Sequence, residues 1–222
     1  MSGGPDSVGY AAIWKSRDCK IHPLVFDYGQ KGRKEVEVLE SLRPKLGFER
    51  EVTVNISSLK DLWSNTQLTD PKVSVEPEYA TNVVVPLRNG VFLMIASAYA
   101  DSMGAELVIY GAHLSDAAKH RGTGEPLYPD CTPEFAIALE EAINRGRFVT
   151  SGKRIGIQSP AREGLTKPQL LRKAYDIIGD LIFETWSCYL SGYFHCGICE
   201  SCKNRRLAFV EAGIQDKTRY LK

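Results

Sequence analysis

Charge of either sign is in no excess. Lys and Arg number 28 against 27 Asp and Glu, a formal net charge of +1 at pH 7. A surface that grips nucleic acid through its phosphates carries a basic surplus, so no stable nucleic-acid binding is expected. No run of apolar residues reads as reaching the ~18 that a membrane-spanning helix needs. The N-terminus also lacks the basic-then-apolar order of a secretory signal, so no membrane partner is expected. Repeats and low-complexity tracts are missing. Cysteine is sparse over most of the chain: of six, Cys19 and Cys131 stand alone, and the other four fall between positions 188 and 202. A secreted disulfide scaffold is short and spreads its cysteines along the chain. This distribution points instead to a reducing compartment, the cytoplasm, and to one metal site.

What the sequence does have is length and alternation. A chain of 222 residues can bury a sizeable core without staples. Asp6–Ser16 predicts a helix with Val8, Ala11, Ala12 and Ile13 inward, and 20–26 a buried strand. Residues 32–46 predict an amphipathic helix with Val36, Leu39 and Leu42 on one face, and 49–56 a strand. The stretch 57–80 has weak periodicity and two prolines, and reads as an excursion or lid. Residues 89–103 predict an apolar helix and 106–111 a strand. Residues 119–127 predict an exposed loop, and 133–144, 166–178 and 201–212 three further helices. Thr166 is a plausible N-cap and Gly213 a C-cap glycine. Such alternation implies an α/β fold, a doubly wound parallel sheet with helices on both faces.

The chain opens Ser2-Gly3-Gly4-Pro5-Asp6-Ser7 and enters a helix at once. Glycines let backbone N–H groups approach an anion, and a helix N-terminus adds partial positive charge. Ser2 and Ser7 can donate hydroxyl hydrogen bonds. Asp6 can cap the helix or hold Mg²⁺. No GK[ST] ending follows, so this is not a Walker loop. The SGGxDS pattern resembles the signature of the PP-loop ATP pyrophosphatases. That resemblance implies a HUP-like fold (adenine nucleotide alpha hydrolase-like) and ATP cleaved between its α- and β-phosphates. It also implies an apolar strand running into the loop at the centre of the sheet. Only Met1 precedes Ser2 here, so residues upstream are expected to be absent from this sequence. The strands at 20–26 and 106–111 are therefore expected to lie apart or to have another segment between them.

Cys188, Cys196, Cys199 and Cys202 form C-x7-C-x2-C-x2-C. Thiolates at x2 spacing converge on one tetrahedral ion, and Zn²⁺ is the usual occupant. Four cysteines make a closed, structural site that fastens the last helix to the body. His195 adjoins Cys196 and reads as a neighbour rather than a ligand.

Trp186-Ser187-Cys188 and the run Cys196-Gly197-Ile198-Cys199-Glu200-Ser201-Cys202 resemble the QueC family of 7-cyano-7-deazaguanine synthases. So do Phe26-Asp27-Tyr28-Gly29-Gln30, Pro86-Leu87-Arg88-Asn89, Tyr128-Pro129-Asp130-Cys131-Thr132-Pro133-Glu134-Phe135, and Lys167 ahead of its helix. The resemblance spans nearly the whole chain. It implies a PP-loop domain over 1–180, a zinc element over 181–222 and a homodimer. It also implies a reaction joining 7-carboxy-7-deazaguanine, ammonia and ATP, with Mg²⁺, to give a nitrile through an adenylated carboxylate and an amide. In that scheme Ser2, Gly3, Gly4, Pro5, Asp6 and Ser7 bind ATP, and Asp6, Ser7 and Lys167 are catalytic. Arg88, Asn89, Asp116, Tyr128 and Asp130 hold the substrate, with Tyr28 a second candidate to stack on the base. Arg88 suits a carboxylate or phosphate clamp, and Asn89 the edge of a heterocycle. The chain departs from the pattern at Gly32, Leu87, Leu127 and Thr132, and the loop 119–127 is added. Three other readings compete: an enzyme that stops at the amide or uses another acceptor, one that modifies tRNA, and a non-catalytic zinc-ribbon binding module. The phosphate loop argues against the last, and the near-zero charge against tRNA.

Overall fold

The protein is seen in a computed structural model, which describes every residue except Arg33, Arg121 and 148–152. The chain divides into two compact units, Met1–Pro86 with Pro168–Lys222, and Leu87–Lys167.

In the first unit, helix α1 (Pro5–Lys15) starts with proline at its first position, where no N–H is needed. Gly4 is its N-cap and gives no side-chain cap. Asp6 lies in the first turn and is not the capping residue that the sequence allowed. The helix buries Val8, Gly9, Tyr10, Ala11, Ala12 and Ile13. Strand β1 (Leu24–Asp27) pairs in parallel with β2 (Val52–Asn55), Leu24 opposite Val52 and Asp27 opposite Asn55. Helix α2 (Lys34–Lys45) connects them as a βαβ crossover and buries Leu39 and Leu42. Helices α5 (Lys167–Ile178) and α6 (Glu200–Glu211) complete this unit, with α5 contributing all but its first residue. Leu171, Ala174, Ile182, Ala208, Phe209 and Ile214 form their shared core. Full burial of the leucine, isoleucine and phenylalanine side chains contributes about 1.5–3 kcal/mol each.

The excursion after β2 has a physical reason for its weak periodicity. Its buried residues are Trp63 and the polar Thr66, Gln67 and Thr69, so no periodic apolar face folds it down. Gln67 Nε2 donates to Asn82 Oδ1 at 2.7 Å, while Gln67 Oε1 accepts the Glu76 N–H at 2.8 Å.

In the second unit, helices α3 (Arg88–Ser102) and α4 (Pro133–Gly146) pack with strands β3 (Leu107–Ile109) and β4 (Gly156–Gln158). The strands are parallel, Leu107 opposite Gly156. Leu93, Ala100, Val108, Ala136, Ile143, Ile155 and Ile157 make the core. Thr132 caps α4 by accepting the Phe135 N–H at 3.2 Å, which gives this departure from the family pattern a local role.

Two expectations need adjustment. The described strands form two separate parallel pairs rather than one continuous sheet; β1 and β3 share no ladder, as the sequence led one to expect. The expectation of no membrane-length apolar stretch is corrected as well. Thr81–Ser102 has the length, and an 18-residue window within it has a mean hydropathy of 1.5. Within it Pro86 precedes a left-handed Leu87, and α3 begins only at Arg88. Leu93 and Ala100 of that helix are core residues of the second unit.

Candidate functional site

The Ser2–Ser7 loop belongs to the first unit. Val8 N–H makes the first α1 bond to Gly4 O at 3.0 Å. The Asp6 and Ser7 N–H groups therefore lie in the first turn, ahead of the intrahelical ladder. Gly4 N–H donates to Ser2 Oγ at 3.2 Å, and Gly3 O accepts the Trp186 N–H at 2.9 Å. A Cβ on Gly3 would fall 2.0 Å from the Glu35 carbonyl oxygen, so glycine here is required by the first turn of α2. The sequence suggested only the demands of an anion. Tyr28, a second candidate for base stacking, is buried edge-on against Trp63 at 6.1 Å between ring centroids.

In the second unit, the expected substrate residues gather around Cys131. Asn89 Nδ2 donates to Cys131 Sγ at 3.3 Å, and Asn89 N–H donates to Asp130 Oδ2 at 3.0 Å. Burial pushes the Cys131 thiol well above its ordinary value, the Asp116 and Asp130 carboxylates push further, and Arg88 opposes them. Arg88, Asp116 and Asp130 thus all act electrostatically on one sulfur. Tyr128 joins them through its backbone: its N–H donates to Asp116 O at 3.1 Å, and its carbonyl accepts the Cys131 N–H at 3.0 Å. Lys167 N–H donates to Ser115 Oγ at 3.2 Å, beside Asp116. The arrangement is a half-buried polar cluster with a cation, an amide and two carboxylates. It suits a flat, nitrogen-rich ring that carries an acid group.

Cys188, Cys196, Cys199 and Cys202 bring their sulfurs within 4.8 Å of one another. Cys196 and Cys202 are 3.9 Å apart at Sγ. A tetrahedral ion with Zn–S of ~2.3 Å needs sulfurs ~3.8 Å apart, so the set fits Zn²⁺. Backbone donors already face the sulfurs: Leu190 and Cys196 N–H to Cys188 Sγ at 3.4 and 3.5 Å, and Cys199 N–H to Cys196 Sγ at 3.4 Å. Hydrogen bonds to the ligating sulfurs of this kind orient them toward a metal. Hydrogen bonds from Cys188 and Cys202 hold the Cys199 thiol far below its ordinary range. His195 Nε2 accepts the Ser187 N–H at 3.0 Å, and its ring lies 4.3 Å from that of Trp186. It supports the knuckle and is outside the four-sulfur set.

The description "Queuosine biosynthesis protein QueC" belongs to a family model that matches residues 1–213. The chain belongs to the QueC family. A 7-cyano-7-deazaguanine synthase of Thermoplasma acidophilum is 34% identical over 225 residues, covering 100% of this chain and 90% of that protein. Proteins of the same name from Campylobacter curvus and Methanosphaerula palustris are each 33% identical, with 99% of this chain covered and 95% and 96% of theirs.

Two further residues belong to this polar cluster that the sequence motifs alone did not single out for a role. Cys131 sits at its centre. His113 is buried and lies 3.2 Å from Asp116 Oδ2 through Nδ1, while its N–H donates to the same oxygen. The i, i+3 spacing of His113 and Asp116 after β3 is the signal that could have found this pair.

Proposed function

We propose that the protein is an ATP-dependent ligase that makes 7-cyano-7-deazaguanine from 7-carboxy-7-deazaguanine and ammonia. The observation that carries this reading is the match to the QueC family over residues 1–213, with relatives named 7-cyano-7-deazaguanine synthase along the whole chain. The polar cluster around Cys131 supports it, because its groups suit an acidic, purine-like base.

A carboxylate oxygen attacks the α-phosphorus of ATP, and pyrophosphate leaves. Ammonia then attacks the acyl carbon of the adenylate, and AMP and a proton depart to give the amide. The amide oxygen then attacks the α-phosphorus of a second ATP, and pyrophosphate and one N–H proton leave. Loss of the remaining N–H proton with AMP closes the carbon–nitrogen triple bond. Ser2–Ser7 hold the ATP phosphates at the α1 N-terminus, where the helix dipole favours anions. Asp6 and Ser7 orient the nucleotide, and Lys167 offsets charge on the departing pyrophosphate. Arg88 clamps the carboxylate, while Asn89, Asp116, Tyr128 and Asp130 recognise the base. Mg²⁺ accompanies the nucleotide.

Cys188, Cys196, Cys199 and Cys202 hold a structural Zn²⁺ that supplies folding energy to the C-terminal element, 181–222, beside a PP-loop domain of 1–180. The enzyme acts as a cytoplasmic homodimer without stable nucleic-acid binding. The test is turnover: with all three substrates, the zinc-loaded protein should release AMP and pyrophosphate. Asp6→Ala and Ser7→Ala should each abolish that release. AMP release that is independent of the deazaguanine, or unaffected by both substitutions, would contradict the reading.

A further inference from the structure

Arg205 is fully buried, the largest side chain so enclosed among the described residues. A buried cation is costly unless its donors are met. Its Nη1 donates to Thr185 Oγ1 and to Ser187 Oγ, both at 3.0 Å, its Nη2 to Ile182 O at 3.2 Å, and its Nε to Thr218 Oγ1 at 3.0 Å. Each of these acceptors is a neutral oxygen. The Phe209 ring lies 5.1 Å from the guanidinium carbon. A planar fork with five donors reaches four acceptors in this way, and an ammonium cannot.

Two of those acceptors flank Trp186, which touches the phosphate loop. The Trp186 N–H donates to Gly3 O at 2.9 Å, and a Cβ on Gly4 would lie 3.5 Å from Trp186 O. The next residue but one is Cys188. Trp186 Nε1 donates to Cys188 O at 2.9 Å, and Ser201 Oγ donates to Ser187 O at 2.7 Å. The strip Thr185–Cys188 therefore has the four-sulfur cluster at one end and the Ser2–Ser7 loop along its side. Burial lowers the Arg205 pKa, and Tyr220, Asp216, Asp6 and Cys202 raise it. Asp6 of the loop and Cys202 of the sulfur set thus both act on this one cation.

We infer that Arg205 is a positioning residue for the nucleotide loop: it pins Thr185 and Ser187, and through Trp186 and Gly3 it fixes the loop beside the zinc element. This rests on the reading of Ser2–Ser7 as the ATP site.

A matched pair of isosteric changes tests it. Thr185→Val and Thr218→Val each remove one acceptor from Arg205, but only Thr185 adjoins Trp186. Affinity for ATP is read by competition with a fluorescent methylanthraniloyl-ATP, zinc by elemental analysis, and folding by thermal unfolding. Thr185→Val should weaken ATP binding about tenfold, the scale of one buried charge-assisted hydrogen bond, with one zinc retained per chain. Thr185→Ser, which keeps the hydroxyl, should restore binding, and Thr218→Val should leave it within about twofold. If Thr185→Val does not fold, Ser187→Ala carries the same expectation. Equal losses in the two valine variants, or unchanged ATP affinity in Thr185→Val, would overturn the inference alone. A wild-type protein that binds no ATP would overturn the loop reading, and this inference with it.

Discussion

Asn89 is tied to Asp130 by a backbone N–H that donates to the carboxylate at 3.0 Å, in the first turn of α3. The carboxylate serves the helix terminus as well as the proposed base site, because an anion there offsets the helix dipole. Asp130→Asn should therefore raise KM for 7-carboxy-7-deazaguanine by about tenfold or more, on the scale of one charge-assisted bond. It should also cost roughly 1 kcal/mol of stability. ATP affinity should stay within about twofold. Steady-state kinetics with each substrate varied in turn separates these effects, and an equal loss toward ATP would contradict the assignment to the base.

Leu87 adopts φ 53°, ψ 20°, the left-handed region, immediately before Arg88. A branched side chain there costs roughly 1–2 kcal/mol, and glycine returns roughly 0.5–1 kcal/mol of that through the unfolded chain. Leu87 is 68% exposed, so its removal forfeits little burial. Leu87→Gly should raise stability by about 0.5–1 kcal/mol in urea unfolding. Destabilisation would show that the leucine has a contact that outweighs its backbone.

Metal removal bears on α6. Cys199 is its N-cap and one of the four sulfurs, so binding and local folding are coupled. Cys199→Ser should lose zinc and speed amide exchange through residues 200–211. Cys19 and Cys131 should contribute no ligand. Full metal content in the variant, or unchanged exchange after chelation, would argue against a structural site.

Glu140 gives the second unit a signed pH dependence. Burial pushes its carboxyl up, but the Ile157 N–H at 2.8 Å and Arg162 at 2.6 Å outweigh burial and hold it below the ordinary value. A depressed folded pKa stabilises above the unfolded value, ~4.3. That contribution is lost as pH falls through the folded value. Stability of the wild type should thus fall more steeply below about pH 4.3 than that of Glu140→Gln, as followed by thermal unfolding across pH. Parallel profiles would remove Glu140 from the account.

The four-cysteine cluster was legible because three of its cysteines lie within seven residues and Cys188 lies close by, so local spacing nearly determines their geometry. The long helices were legible from their periodicity. Strand β4 was not: it has three residues, Gly156–Gln158, and depends on Asn144, whose side chain donates to Ile155 O at 2.8 Å and accepts the Ile155 N–H at 2.9 Å. That support comes from α4 and leaves no alternation to read. The fold of 57–80 was hidden because, apart from Trp63, its buried residues are Thr and Gln. The left-handed Leu87 was hidden because leucine carries no signal for positive φ. Around Cys131, Arg88, Asn89 and Asp130 fall in the family blocks of the sequence, whereas Asp116 lies outside them. The burial of Arg205 was not, since an arginine on a polar helix ordinarily faces solvent.

The central claim is the identity of the product. Zinc-loaded protein is supplied with ATP, Mg²⁺, ¹⁵N-ammonium and 7-carboxy-7-deazaguanine, and the reaction is followed by mass spectrometry alongside AMP. The account predicts 7-cyano-7-deazaguanine carrying one ¹⁵N, a transient labelled amide, and two AMP per nitrile. Accumulation of the amide alone, or ATP consumption only with a different acid, would contradict it.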